Sequence, residues 1–403
     1  MSQLFESRNY SLGFYGIVLY SLLRIAELTY FQSPTPELFY LFVFLAMLTP
    51  LYILKEVMDG TFKLTYGKVL MVVLMLSLVS VVTLQFFFLK QNIYDQDGRS
   101  VFEYTKGLIY TAYVWLLIGA AISNSRVRAS LWMPFLLLGS CFWLLKMGAF
   151  GGIFVDYNIL SVLYGTERMS HLAIEDYVVF ICMAAYILSP RVIKPVVFLG
   201  FLLLVLMCGG RSALFMSVLS IFIFEYKNKE YKLYKNYIYI VAFFSIVVVL
   251  SGIGLDYSDD SVRKMLLLDG LDSDLSKQER DVLLSSGFLS LQHQALIGDP
   301  NIIVSMFGTL GAYIHNIVSA WQFFGIFIFA LLIWCLIYSI KNVILISDVC
   351  GSKNVVVNFG VLTLIYTVIS VVFTKFVGFS FLWFSIGFWC FYDARRPFSA
   401  KLR

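Results

Sequence analysis

Apolar runs of about 20 residues, the length a helix needs to cross the hydrocarbon of a bilayer, recur from Asn9 to Tyr392 with short polar breaks between them. Read at that length, the pattern predicts spans at 10–29, 35–54, 69–89, 107–125, 129–150, 176–189, 195–208, 212–226, 236–252, 314–340, 355–374 and 376–392. The sixth, seventh and eighth are short. No repeat of fixed period is visible, and no segment is low-complexity. The expected fold is an all-α membrane protein: a polytopic bundle of about twelve transmembrane helices, forming one integral membrane domain over 1–403. One large loop, 253–313, interrupts the series.

The polar breaks carry an orientation. With the N-terminus cytoplasmic, 18 of the 30 Lys and Arg residues fall in cytoplasmic segments, such as Arg126 and Arg128, Arg191 and Lys194, and the run Lys227 to Lys235. Ten fall on the opposite side, and Arg24 and Lys146 lie inside spans. Lys and Arg are retained on the cytoplasmic side of membrane proteins. The pattern therefore predicts cytoplasmic termini and a large loop facing the far side. The net charge of +5 then reads as this bias, and nucleic acid is excluded as a partner. MSQLFESRNY runs into the first apolar stretch without a small-residue cleavage site, which predicts an uncleaved first helix.

Composition agrees: 60% of residues are hydrophobic and 14% charged, with a mean hydropathy of +0.83. The six cysteines, at 141, 182, 208, 335, 350 and 390, include no CxxC pair. They suggest packing residues in preference to a disulfide framework or a zinc site.

The loop 253–313 has helix signals of its own. Ser276-Lys277-Gln278-Glu279 has the form of a capping box, followed by Val282, Leu283, Leu284, Phe288, Leu289, Leu291 and Leu296. Gly298-Asp299-Pro300 is expected to stop that helix. Gly308 and Gly311 are expected to form a flexible approach to Ile314-His315-Asn316, where the tenth span opens.

P-loop, GxGxxG, HExxH and GxSxG motifs are absent, and no metal or cofactor is expected. Candidate chemistry rests on a few charged residues. Arg211 follows Cys208-Gly209-Gly210 in a tight turn. It is either an interfacial arginine snorkelling to lipid headgroups or a planar fork gripping a lipid-linked phosphate. Arg280 is either a solvated charge between Glu279 and Asp281 or a cation carried back over the bundle by its helix. His315 is either a helix-start residue or a base of near-neutral pKa for a sugar hydroxyl. Arg24 and Glu27 can neutralise each other within one helix. Arg168 and His171, with Glu167, are second-tier candidates.

In order and spacing these residues resemble the O-antigen polymerase (Wzy) and O-antigen ligase (WaaL) superfamily of membrane glycosyltransferases. The resemblance rests on Cys208-Gly209-Gly210-Arg211-Ser212-Ala213-Leu214, on Arg280 in the late loop, and on His315-Asn316 leading into a helix with Gly325. It covers about 195–340. The spacing Gly308-Thr309-Leu310-Gly311 is looser than the family's Gly-x-Gly.

The resemblance implies a metal-independent, inverting transfer at the periplasmic face of the bacterial inner membrane. The donor would be an undecaprenyl-pyrophosphate-linked oligosaccharide. Arg211 and Arg280 would bind the pyrophosphate and stabilise its charge, His315 would activate the acceptor, and Asn316 would help bind substrate. A chain-length regulator and a flippase are the partners it implies, besides the lipid bilayer. Polymerase is the first reading and ligase, with lipid A–core as acceptor, the second. A polysaccharide flippase or transporter is the alternative from another class, although the paired repeats common in transporters are not seen.

Overall fold

The computed structural model describes all residues except 1, 32–35, 90–92, 97, 99, 124, 151, 153, 165–171, 229–234, 243–281, 289–290, 292–294, 310–313, 350–353 and 393–403. Among the described residues the chain is helical, without strands; one isolated antiparallel bridge joins Tyr94 and Ser100. The helices are α1 (Ser2–Ala26), α2 (Pro36–Met58), α3 (Tyr66–Leu89), α4 (Val101–Ser123), α5 (Met133–Gly148), α6 (Tyr157–Tyr164) and α7 (Leu172–Leu188). They continue with α8 (Lys194–Met207), α9 (Arg211–Lys227), α10 (Pro300–Phe307), α11 (Ser319–Val349), α12 (Val355–Phe373) and α13 (Ser380–Phe391). Residues 235–242 and 282–288 are also helical.

Six helices among the described residues are long and apolar enough to cross a membrane: Leu12–Phe31, Glu37–Met58, Tyr66–Phe88, Val101–Ser123, Ser319–Ile346 and Val355–Phe373. Three shorter apolar helices, Met133–Gly148, Lys194–Met207 and Ser380–Phe391, accompany them. These six correspond to the first four, the tenth and the eleventh of the expected spans. The expected short spans appear as α7, α8 and α9, of 17, 14 and 17 residues. The ninth lies largely outside the described residues. Two boundaries move for local reasons. Residues 314–318 form a turn, so α11 opens at Ser319, and a turn ending at Phe379 delays α13 to Ser380.

The chain divides into two compact units. The first comprises Met1–Leu45, Ser125–Asp274 and Gly351–Tyr366. Its centre is α7, buried along nearly its whole described length and packed on α1, α5 and α8. Aromatic side chains fill the spaces: Phe359 meets Phe14 and Phe180 edge-on at centroid distances of 5.2 and 5.1 Å, and Tyr20 stacks on Phe42 at 4.7 Å. Arg24 and Glu27 form the expected ion pair, where α1 passes into a π-helical turn, Glu27–Phe31. A second buried network joins Lys194 to Glu225 at 2.8 Å, with Tyr186 donating to the same carboxylate and sharing a hydrogen bond of 2.7 Å with Tyr237. A charge so far from water is tolerated only when paired and hydrogen-bonded.

The second unit comprises Ala46–Asn124, Leu275–Cys350 and Thr367–Arg403. Its core is α13, buried from Phe381 to Phe391 and pressed against α4, α3 and α11. Glycines permit the approach. A Cβ on Gly119 would collide with the Phe384 carbonyl oxygen, one on Gly387 with that of Leu116, and one on Gly67 with that of Cys390. Lipid is as apolar as a leucine side chain, so close packing of small residues is a main source of helix association in a bilayer. The five described cysteines are buried thiols, consistent with packing roles.

Candidate functional site

The polar features of the second unit gather where α3 ends and α11 begins. His315 is partly buried in the turn before α11. Asn316 organises that turn: its Oδ1 accepts from the Val318 N–H at 2.9 Å, and its carbonyl accepts from the Ser319 hydroxyl at 2.7 Å. Its side-chain oxygen thus caps backbone, which leaves the amide N–H groups as its free chemistry. The turn is pinned from another side by the connection between α12 and α13. The Ile317 N–H donates to the Val371 carbonyl at 2.7 Å, and the Val377 N–H donates to the Ser319 hydroxyl at 2.8 Å. Lys375 lies in that connection, buried, with its ammonium 5.4 Å from the Phe379 ring centroid.

Described parts of the large loop fold onto the same place. Helical residues 282–288 approach Ile314 so closely that a Cβ on Gly287 would collide with its side chain. Gly298-Asp299-Pro300, expected to stop a helix, also starts one. Asp299 is the N-cap of α10, its carboxylate accepting from the Asn301 N–H at 2.9 Å, and Pro300 takes the first helical position, where a missing N–H costs nothing. Burial pushes the Asp299 carboxyl above its ordinary pKa, partly opposed by the bonds from Asn301 and Ile302. Gly308, expected to be flexible, is fixed as the left-handed C-cap of α10 at φ +75°. Its carbonyl accepts from the Gln96 N–H at 2.9 Å.

Inside α11 the backbone breaks at Gly325, with φ +81° and ψ 173°. A break strands carbonyls and an N–H in an apolar helix, and these need partners. Residues 295–299 and Gln85 of α3 supply them. The Ile326 N–H and the Trp321 indole both donate to the Ala295 carbonyl at 2.9 Å, and the Asp299 N–H donates to the Gln322 carbonyl at 3.1 Å. The Gln85 amide donates to the carbonyls of Phe323 at 2.6 Å and Ile297 at 2.7 Å. Gln322 closes the set, its side-chain oxygen accepting from the Ile314 N–H at 3.2 Å.

In the first unit, Arg211 is the first residue of α9, and Gly210 is the N-cap. Gly209 turns the chain at φ +73°, a conformation that suits glycine. A Cβ on Gly210 would collide with the Glu175 carboxylate, which is fully buried in the first turn of α7. The Tyr157 hydroxyl donates to the Cys208 carbonyl at 2.9 Å. Burial, with Cys208 and Glu175 close by, raises the Tyr157 phenol well above its ordinary pKa. Lys146 donates to the Gly152 carbonyl at 2.7 Å at the end of α5. A carboxylate beside a helix N-terminus is favoured by the exposed N–H groups and the helix dipole.

Of the sequence candidates, His315 and Asn316 share one turn of the second unit. Arg211 stands at a helix start in the first unit. Arg280, Arg168 and His171 lie outside the described residues. The residues that sequence reasoning missed are Gln85, Asp299, Gln322, Lys375 and Glu175. Gln85 and Glu175 were visible as polar positions inside or at the edge of apolar runs. Among the described residues no group of three His, Cys, Asp or Glu side chains is placed to hold a metal ion. Comparison with protein-family models and with curated proteins returns no match.

Proposed function

We propose that this chain is a membrane glycosyltransferase of the O-antigen polymerase kind, joining lipid-linked glycan units at the periplasmic face of the bacterial inner membrane. The observation that carries the reading is the return of the large loop: residues 282–288 and 295–299 pack at the mouth of α11, beside the turn that holds His315. This is the arrangement the resemblance requires if Arg280 and His315 are to serve one reaction. The full proposal includes twelve spans, cytoplasmic termini and a periplasmic loop 253–313.

The chemistry follows from the substrates. The donor is a glycan on undecaprenyl pyrophosphate, and the acceptor is a sugar hydroxyl of a second lipid-linked unit. The hydroxyl oxygen attacks the anomeric carbon from the face opposite the pyrophosphate, the C–O bond to phosphate breaks, and the configuration inverts. His315 takes the hydroxyl proton. Arg211 and Arg280 hold the anionic leaving group, where fixed cations at the edge of an apolar medium stabilise developing charge more than they would in water. Asn316 offers its amide N–H groups to the substrate.

Purified protein in liposomes, supplied with undecaprenyl-pyrophosphate-linked single units, should yield longer lipid-linked glycans without added metal. Transfer only when lipid A–core is supplied would identify a ligase. No transfer to either acceptor would overturn the enzyme reading. Arg211→Ala, Arg280→Ala and His315→Ala should each abolish transfer with membrane abundance intact. A fully active Arg280→Ala variant would remove that residue from the site.

A further inference from the structure

Gln85 lies near the end of an apolar span, buried, and more than 200 residues before its partners in sequence. In an apolar helix such a side chain must find hydrogen bonds inside the protein. It finds them on two different segments. One is the strap 295–299, through the Ile297 carbonyl at 2.7 Å, with the Gly298 carbonyl at 3.4 Å; the other is the broken turn of α11, through the Phe323 carbonyl at 2.6 Å.

The strap and the break fit each other through two glycines. Gly298 has φ +70°, and a Cβ there would lie 2.7 Å from the Gly325 nitrogen and 2.8 Å from the Phe324 nitrogen. Gly325 has φ +81°, and a Cβ there would collide with the Leu296 carbonyl oxygen. Both conformations suit glycine alone, and both close approaches exclude any side chain. Neither segment satisfies its own backbone without the other.

From this clasp a short chain of bonds reaches the histidine turn. Gln322 lies three residues before the break. Its carbonyl accepts from Asp299 of the strap, and its side-chain oxygen accepts from the Ile314 N–H, immediately before His315. We propose that Gln85 is a positioning residue: by clasping the strap 295–299 to the break at Gly325, it fixes the turn that carries His315. This rests on the glycosyltransferase reading for its functional half, while the clasp itself stands on geometry.

The role asked of Gln85 is donation to carbonyls, which separates the variants. Gln85→Leu keeps a side chain of similar size but has no donor. Gln85→Lys keeps donors. The first measurement uses no activity: oxidative cross-linking of Ala295→Cys with Ile326→Cys in membranes. It should form efficiently in the otherwise native chain and in Gln85→Lys, and be lost in Gln85→Leu. Persistence of the cross-link in Gln85→Leu would overturn the clasp.

The second measurement is transfer by purified protein on lipid-linked single units. Misplacing a catalytic group by about 1 Å can cost about 100-fold. Turnover in Gln85→Leu should fall by about that factor with KM unchanged, and Gln85→Lys should recover most of it. A lost cross-link with unchanged turnover would overturn the positioning role. A fully active His315→Ala variant in which the cross-link still forms would instead overturn the functional reading and leave the clasp standing.

Discussion

Asp299, Gln322 and Gly325 each break a rule of the apolar helix, and each is answered by a partner elsewhere in the second unit. Asp299 gives the sharpest residue-level prediction. Burial raises its pKa, so the folded protein binds this proton more readily than the unfolded chain does. Its favourable contribution is therefore complete below the ordinary carboxylate range and fades as pH rises through the folded value. Asp299→Asn retains the N-cap acceptor without the charge. Its unfolding temperature in detergent should vary less between about pH 4 and pH 7 than that of the native protein. Asp299→Ala should lose about 1 kcal/mol at either pH, the ordinary worth of a cap. Identical pH profiles for the native and Asn proteins would show that Asp299 does not titrate in this range.

Among the elements, the tightest packing is between α4 and α13, and it depends on which glycine is changed. Gly119→Ala would drive a methyl into the Phe384 carbonyl, and Gly387→Ala one into that of Leu116. Each should cost about 1–3 kcal/mol as overpacking. Gly107 lies in the same helix α4, and a Cβ there meets nothing within 4 Å. Gly107→Ala should be neutral, or stabilising by up to about 1 kcal/mol through helix propensity. Thermal unfolding in detergent separates the two outcomes.

Helices of this kind were legible in the sequence because the bilayer imposes length and apolarity on a single segment. That is why Tyr66–Leu89 and Val355–Phe373 fall nearly where hydropathy puts them. The start of α10 was missed because Asp-Pro can follow the end of one helix and open another, and only the packing of the strap shows the second. The break at Gly325 was noted as a glycine in a helix, but its partners, Gln85 and Ala295, are contacts across the fold that no local pattern carries. For the candidate site, residue type and order pointed to His315 and Asn316. The burial of Glu175 against Gly210 and the clasp by Gln85 emerge only when distant segments meet.

For the molecule as a whole, six described helices can cross a membrane, and each of the two units carries polar groups within or beside its apolar helices. Such groups are costly in a bilayer and mark functional positions by default. The central claim, that the chain polymerises lipid-linked glycan, is tested most directly by deleting the gene and resolving the lipopolysaccharide on a gel. The deletion strain should show core carrying a single repeat unit, with the ladder restored by the native chain and not by His315→Ala. Core alone, with long polymer left on the lipid carrier, would point to a ligase. Core alone, with single units held on the cytoplasmic side, would point to a flippase. An unchanged ladder in the deletion strain would rule out a role in joining lipopolysaccharide repeat units.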